Sequence, residues 1–184
     1  ENLYLGATYK YKMDLSYDDG RFLMYNASGD KTTEAIAKTE ITLPAQTDIA
    51  LGYQISSSIY LELDATYTQW SSVKELDLRF FPLGQDCGEG CSSIPPKPQE
   101  KEELNWEDTW FIRAGLDWRI NNMVQVSSGI GYEFSPVPDT TLSPLLPGSD
   151  RTPVTLGTSI LIPSTSIKID ASYMIVYFIP RTII

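Results

Sequence analysis

Glu62 and Asp64 stand two residues apart in SIYLELDATYTQW, residues 58–70. On an extended chain this spacing puts both carboxylates on one face, about 7 Å apart. That separation alone would suit glycosidase acid/base chemistry. Cys87 and Cys91 form a second candidate pair, in the Gly-rich stretch Cys-Gly-Glu-Gly-Cys. Their spacing suits a small, loop-stiffening disulfide in an oxidising compartment. A metal site on these thiols lacks the further Cys or His that a tetrahedral set needs. The chain has no histidine, which excludes a Ser-His-Asp triad and His-based proton transfer. No enzyme activity, no cofactor and no metal are expected.

The elements that must carry these groups follow from composition and periodicity. The 184 residues include 14 basic and 24 acidic side chains, a formal charge of −10. Nucleic-acid binding depends on clustered Lys and Arg, so no such partner is expected. No stretch of about 18 apolar residues exists, and the longest apolar run is Tyr173 to Ile179, so no transmembrane helix is expected. The N-terminus lacks a basic and an apolar signal region, which fits a removed export signal or a start inside a longer protein.

Apolar and polar residues alternate through most of the chain, as they do on two-faced strands. In the opening segment Ile59, Leu61, Leu63, Ala65 and Tyr67 oppose Tyr60, Glu62, Asp64, Thr66 and Thr68. The pattern predicts seven strands: Leu3 to Tyr17, about 41–55, 58 onward to Phe80, about 105–120, 123–134, 152–162 and 166–179. Thr33 to Lys38 could form one helical turn in a loop. Short links at Ser56–Ser58, Asn121–Asn122 and Pro163–Thr165 alternate with long ones at about 19–40, 81–104 and 135–151. Long strands with links alternating in length describe an up-and-down outer-membrane barrel. Soluble sheets have shorter strands. Lys, Glu, Asp and Arg on the polar faces cannot face hydrocarbon cheaply. The economical arrangement puts oil outward to lipid and charge inward to a lumen. The rival is a soluble antiparallel barrel with its oily faces inside. Tyr17, Tyr67, Trp106, Trp118, Tyr132 and Tyr177 suit aromatic girdles at the lipid boundaries.

One segment is more specific than periodicity. It carries Trp106-x-Asp108-Thr109, Gly115, Gly129-x-x-Tyr132, Ser135-Pro136-Val137-Pro138-Asp139 and Leu146-Pro147-x-x-Asp150-Arg151. Tyr67-x-x-Trp70-Ser71 and Leu43-Pro44 lie upstream. With these marks the chain resembles the FadL/TodX family of outer-membrane transporters for long-chain fatty acids and other hydrophobic compounds, over roughly residues 1–179. The resemblance implies a fourteen-stranded barrel, an N-terminal hatch and a kinked strand that opens a lateral exit. With seven strands and neither hatch nor lateral opening, residues 1–184 are expected to be a single-domain, C-terminal part of such a barrel. The rest of the barrel, or further copies of the chain, would close it. The resemblance implies a bacterial outer-membrane location, lipid as surroundings and a hydrophobic ligand such as a fatty acid.

For such transport the inward face should mix oil with a few charges. On the last strand Lys168, Asp170 and Ser172 precede Met174, Val176 and Phe178, with Phe111 at a similar level on another strand. These apolar residues are candidates to hold an acyl chain, and mobile Met suits varied ligands. Arg113, two residues along from Phe111, is the candidate carboxylate anchor by charge-assisted hydrogen bonding. The plainer reading pairs Arg113 with Glu62, Asp64 or Glu133. Leu142, Leu145 and Leu146 form an outer loop that could receive greasy substrate or pack on the 81–104 loop. The alternative function is a structural or surface-interaction barrel whose loops bind partners and whose lumen carries nothing.

Overall fold

The structure is a computed structural model and describes residues 2–82, 99–143 and 147–181. Eleven strands carry it: β1 Leu3–Lys10, β2 Met13–Tyr25, β3 Lys31–Leu43, β4 Gln46–Ser56, β5 Ile59–Thr68, β6 Glu75–Pro82, β7 Gln99–Glu103, β8 Thr109–Arg119, β9 Val124–Glu133, β10 Arg151–Leu161 and β11 Lys168–Phe178. Seven form one antiparallel sheet in the order β1-β4-β5-β8-β9-β10-β11, and four form another, β2-β3-β6-β7. The chain divides into two compact units, residues 1–11, 45–70 and 107–184, and residues 12–44 and 71–106.

Register turns sequence alternation into continuous rows across the larger sheet. Leu5, Leu51, Leu63, Ala114, Ile130, Val154 and Ile175 are successive cross-strand partners and make one apolar row over all seven strands. The opposite face carries Thr8, Asp48, Thr66, Phe111, Glu133, Arg151 and Phe178 in its own row. A slip of one residue on any strand would exchange the two faces, so the pattern fixes the register.

Burial on this sheet runs opposite to that of a water-soluble protein. On β5 the apolar Leu63 is 54% exposed while Thr66 on the polar face is 8% exposed. Leu5, Ile130 and Leu156 are likewise exposed, and Glu62, Asp64 and Arg113 are half-buried. A contiguous apolar surface of this size marks a face that meets lipid or another protein.

The three short links are tight turns held by their own side chains. Asn121 Oδ1 accepts the Met123 and Val124 amides at 2.8 and 2.9 Å. Thr165 donates its hydroxyl to the Ile162 carbonyl at 2.8 Å, and the Ser56 Oγ accepts the Ser58 amide at 3.2 Å. Such local bonds satisfy backbone groups the ladders leave free.

The seven expected strands correspond to the larger sheet, and four others correct the reading. The alternation from Leu3 to Tyr17 is two strands, broken at Tyr11–Lys12. The 41–55 pattern is broken at Pro44–Ala45, and the third strand stops at Thr68 before a 3-10 turn at Trp70–Ser72 and a separate β6. The links at 19–40 and 81–104 contain strand as well, and Thr33 to Lys38 is strand in β3 rather than a helical turn. Tyr17 therefore belongs to the smaller sheet and not to the strand begun at Leu3. That sheet packs Phe22 against Phe80, with centroids 4.9 Å apart. It buries Asp77, which takes the Arg79 guanidinium at 2.7 Å. The Lys101 ammonium bonds Glu75 at 2.9 Å, and this bond holds its pKa above the ordinary lysine value.

In the link from β9 to β10, the Arg181 guanidinium donates to the Val137 carbonyl at 2.7 Å and to the Gly148 carbonyl at 2.9 Å. It also pairs with Asp139. Asp150 accepts the Ser135 amide at 2.8 Å and the Tyr132 hydroxyl at 2.7 Å. A Cβ on Gly148 would lie 2.5 Å from Val137 Cγ2 and 2.9 Å from Val137 Cβ. Neither atom can swing aside as a long side chain would. Gly148→Ala is expected to destabilise this loop by about 1–3 kcal/mol. The check is faster limited proteolysis within residues 134–150, with unchanged β content by circular dichroism.

Candidate functional site

The polar face of β8–β11 is deepened by missing side chains. Gly115 and Gly129 are direct partners, Gly131 stands opposite Arg113, and Thr155 follows Gly129 and then Met174 across the sheet. Glycine lets other groups lie close to the backbone. At Gly131 a Cβ would meet Phe111 Cε2 at 2.8 Å and Arg113 Cγ at 3.2 Å, so both side chains lie flat over this position. The result is a cavity of about 600 Å³. Its apolar surfaces come from Phe111, Pro153, Met174 and Val176, and its polar rim from Tyr60, Glu62, Asp64 and Asp117.

Charges on the polar face of the sheet divide into paired and unpaired groups. Arg151 grips Glu133 with two bonds, Nε at 2.6 Å and the second nitrogen at 2.9 Å. Asp48 accepts Thr66 at 2.7 Å and Thr8 at 2.9 Å and lies 3.5 Å from Lys10 Nζ. Arg113 is different. Asp64 faces it across the β5–β8 ladder, yet among the described residues Arg113 forms no ion pair. Its single hydrogen bond is to Thr66 Oγ1 at 3.1 Å, its guanidinium lies 4.8 Å from the Phe111 ring centre, and its buried Nε has no partner. Pairing of Arg113 with Glu62, Asp64 or Glu133 is therefore not what the structure shows.

The structure brings together Phe111, Arg113, Met174 and Val176. Phe178 does not line the cavity and stands across the ladder from Arg151. Leu142 is half-buried directly after the 3-10 turn Asp139–Thr141, apart from the cavity. Leu145, Leu146, Cys87 and Cys91 lie outside the described residues. Sequence reasoning missed Gly115, Gly129, Gly131, Pro153 and Thr155 as lining. The spacing Gly129-x-Gly131 on the polar side was the available signal, but its pairing with Gly115 needs the register.

The profile of the outer membrane protein transport proteins (OMPP1/FadL/TodX) matches residues 1–181. The chain belongs to this family. Solved structures agree on the fold. A FadL homologue from Pseudomonas aeruginosa is 21% identical with a TM-score of 0.79, over 96% of this chain and 41% of that one. The toluene transporter TodX of Pseudomonas putida is 16% identical with a TM-score of 0.60, over 88% and 37%. The monoaromatic hydrocarbon channel CymD is 16% identical with a TM-score of 0.62, over 96% and 43%. The chain thus spans about two fifths of the length of these structures. No curated protein matches it.

Family membership settles which way the faces point. The chain is part of an outer-membrane β-barrel, with its apolar face to lipid and its polar face to the lumen. Among the described residues β1 and β11 each pair along one edge only, so the sheet is a stretch of wall and not a closed barrel. Tyr67 lies 4.9 Å from Trp110, and its hydroxyl bonds Asp108 at 2.6 Å. Gly131→Ala is expected to lift Phe111 and the Arg113 stem into the cavity. Titration of an apolar fluorescent probe should show about three- to tenfold weaker binding, with the fold unchanged.

Proposed function

We propose that this chain supplies the binding wall of a channel for hydrophobic compounds, and that long-chain fatty acids are among its cargo. The observation that carries this reading is the pairing of an apolar recess with an unpaired guanidinium. Phe111, Met174 and Val176 offer surface to an acyl chain, and the glycines leave room for it. Arg113 is placed to take the carboxylate by charge-assisted bonding. Glu62 and Asp117 stand on rows nearer the tight turns and would repel a carboxylate there, which keeps the head group at Arg113. Asp64 stands opposite Arg113 on the same row without an ion pair to it, and the remaining cavity charges, Arg151 and Glu133, satisfy one another.

The test is uptake of a radiolabelled long-chain fatty acid by cells that depend on this protein. Met174→Asp and Val176→Asp each place a charge against the acyl chain, and uptake is expected to fall about tenfold or more at equal surface level. Unchanged uptake in both variants would contradict the reading. Loss of a surface interaction on deleting residues 81–104, with uptake unaffected by either Asp variant, would instead favour a barrel that binds partners through its loops.

A further inference from the structure

Arg113 is held by a chain of hydrogen bonds that crosses four strands. Its guanidinium donates to Thr66 Oγ1 at 3.1 Å. Thr66 donates its one hydroxyl proton to Asp48 Oδ1 at 2.7 Å. Asp48 Oδ2 accepts Thr8 Oγ1 at 2.9 Å and lies 3.5 Å from Lys10 Nζ. A hydroxyl has one proton and two lone pairs. With the proton committed to Asp48, Thr66 must turn a lone pair to Arg113, so the direction of the chain is fixed. Thr66 itself is only 8% exposed, which shelters its hydroxyl between Arg113 and Asp48.

This arrangement orients the guanidinium without neutralising it. A carboxylate in the place of Thr66 would hold Arg113 but cancel its charge. A hydroxyl holds it and leaves the charge for a ligand, while Lys10 offsets the charge of Asp48. We infer that Thr66, backed by Asp48, is the positioning residue that lets the channel tell acids from neutral compounds of the same length. This rests on Arg113 being the carboxylate anchor.

The test uses the full-length protein in detergent and two probes, hexadecanoic acid and hexadecanol, measured by competition against one fluorescent ligand. The wild type should bind the acid more tightly. Thr66→Val keeps the shape and removes both hydrogen bonds. It is expected to weaken acid binding about tenfold while leaving alcohol binding unchanged. Thr66→Ser retains the hydroxyl and should restore the preference, which shows that loss of folding is not the cause. Arg113→Gln should abolish the preference. An equal loss for both probes in Thr66→Val, or no loss for either, would overturn the role of Thr66 while Arg113→Gln still upheld the anchor. A preference that survives Arg113→Gln would overturn both.

Discussion

Backbone N–H and C=O groups inside hydrocarbon have no water to bond, so each must find a partner in the protein. The larger sheet meets this demand with antiparallel ladders that run strand to strand from β1 to β11. Everything else on the wall depends on those ladders. They align the alternating side chains of seven strands into rows, and the rows make one face apolar and the other polar. The inverted burial follows, with leucine and isoleucine exposed and threonine sheltered.

Within that frame the polar face is not uniform. Charges are cancelled in pairs at Arg151–Glu133 and Lys10–Asp48, whereas Arg113 is oriented by Thr66 and left charged. Beside it Gly115, Gly129 and Gly131 line the recess, with Gly131 under Phe111, and Met174 and Val176 add apolar surface. There an apolar recess lies next to a guanidinium that has no ion pair among the described residues.

Much of this was legible in the sequence, for identifiable reasons. Period-two alternation is strong where one face meets lipid, so strands such as β5 and β8 and the turns at Asn121 and Thr165 were readable. The breaks at Tyr11–Lys12 and Pro44–Ala45 were not, because the alternation keeps its phase through them. Thr33 to Lys38 looked helical on local propensity, but pairing with β2 and β6 makes it a strand. For the site, Phe111, Arg113, Met174 and Val176 share a face by parity alone. The glycines required knowledge of which residue stands opposite which. The isolation of Arg113 was also hidden, since nearby Asp64 and Glu133 invited the pairing that side-chain geometry denies.

The orientation of the two faces is the claim on which the rest stands, and tryptophan fluorescence in bromine-labelled lipid tests it directly. Trp110 and Trp118 lie on the apolar face of β8, 43% and 49% exposed, and Phe111 lies on the other. Single-tryptophan proteins carrying Trp110, Trp118 or Phe111→Trp would be reconstituted in such vesicles. The account predicts strong quenching of the first two and little of the third. Quenching at position 111 with Trp110 and Trp118 unaffected would turn the wall inside out and contradict it.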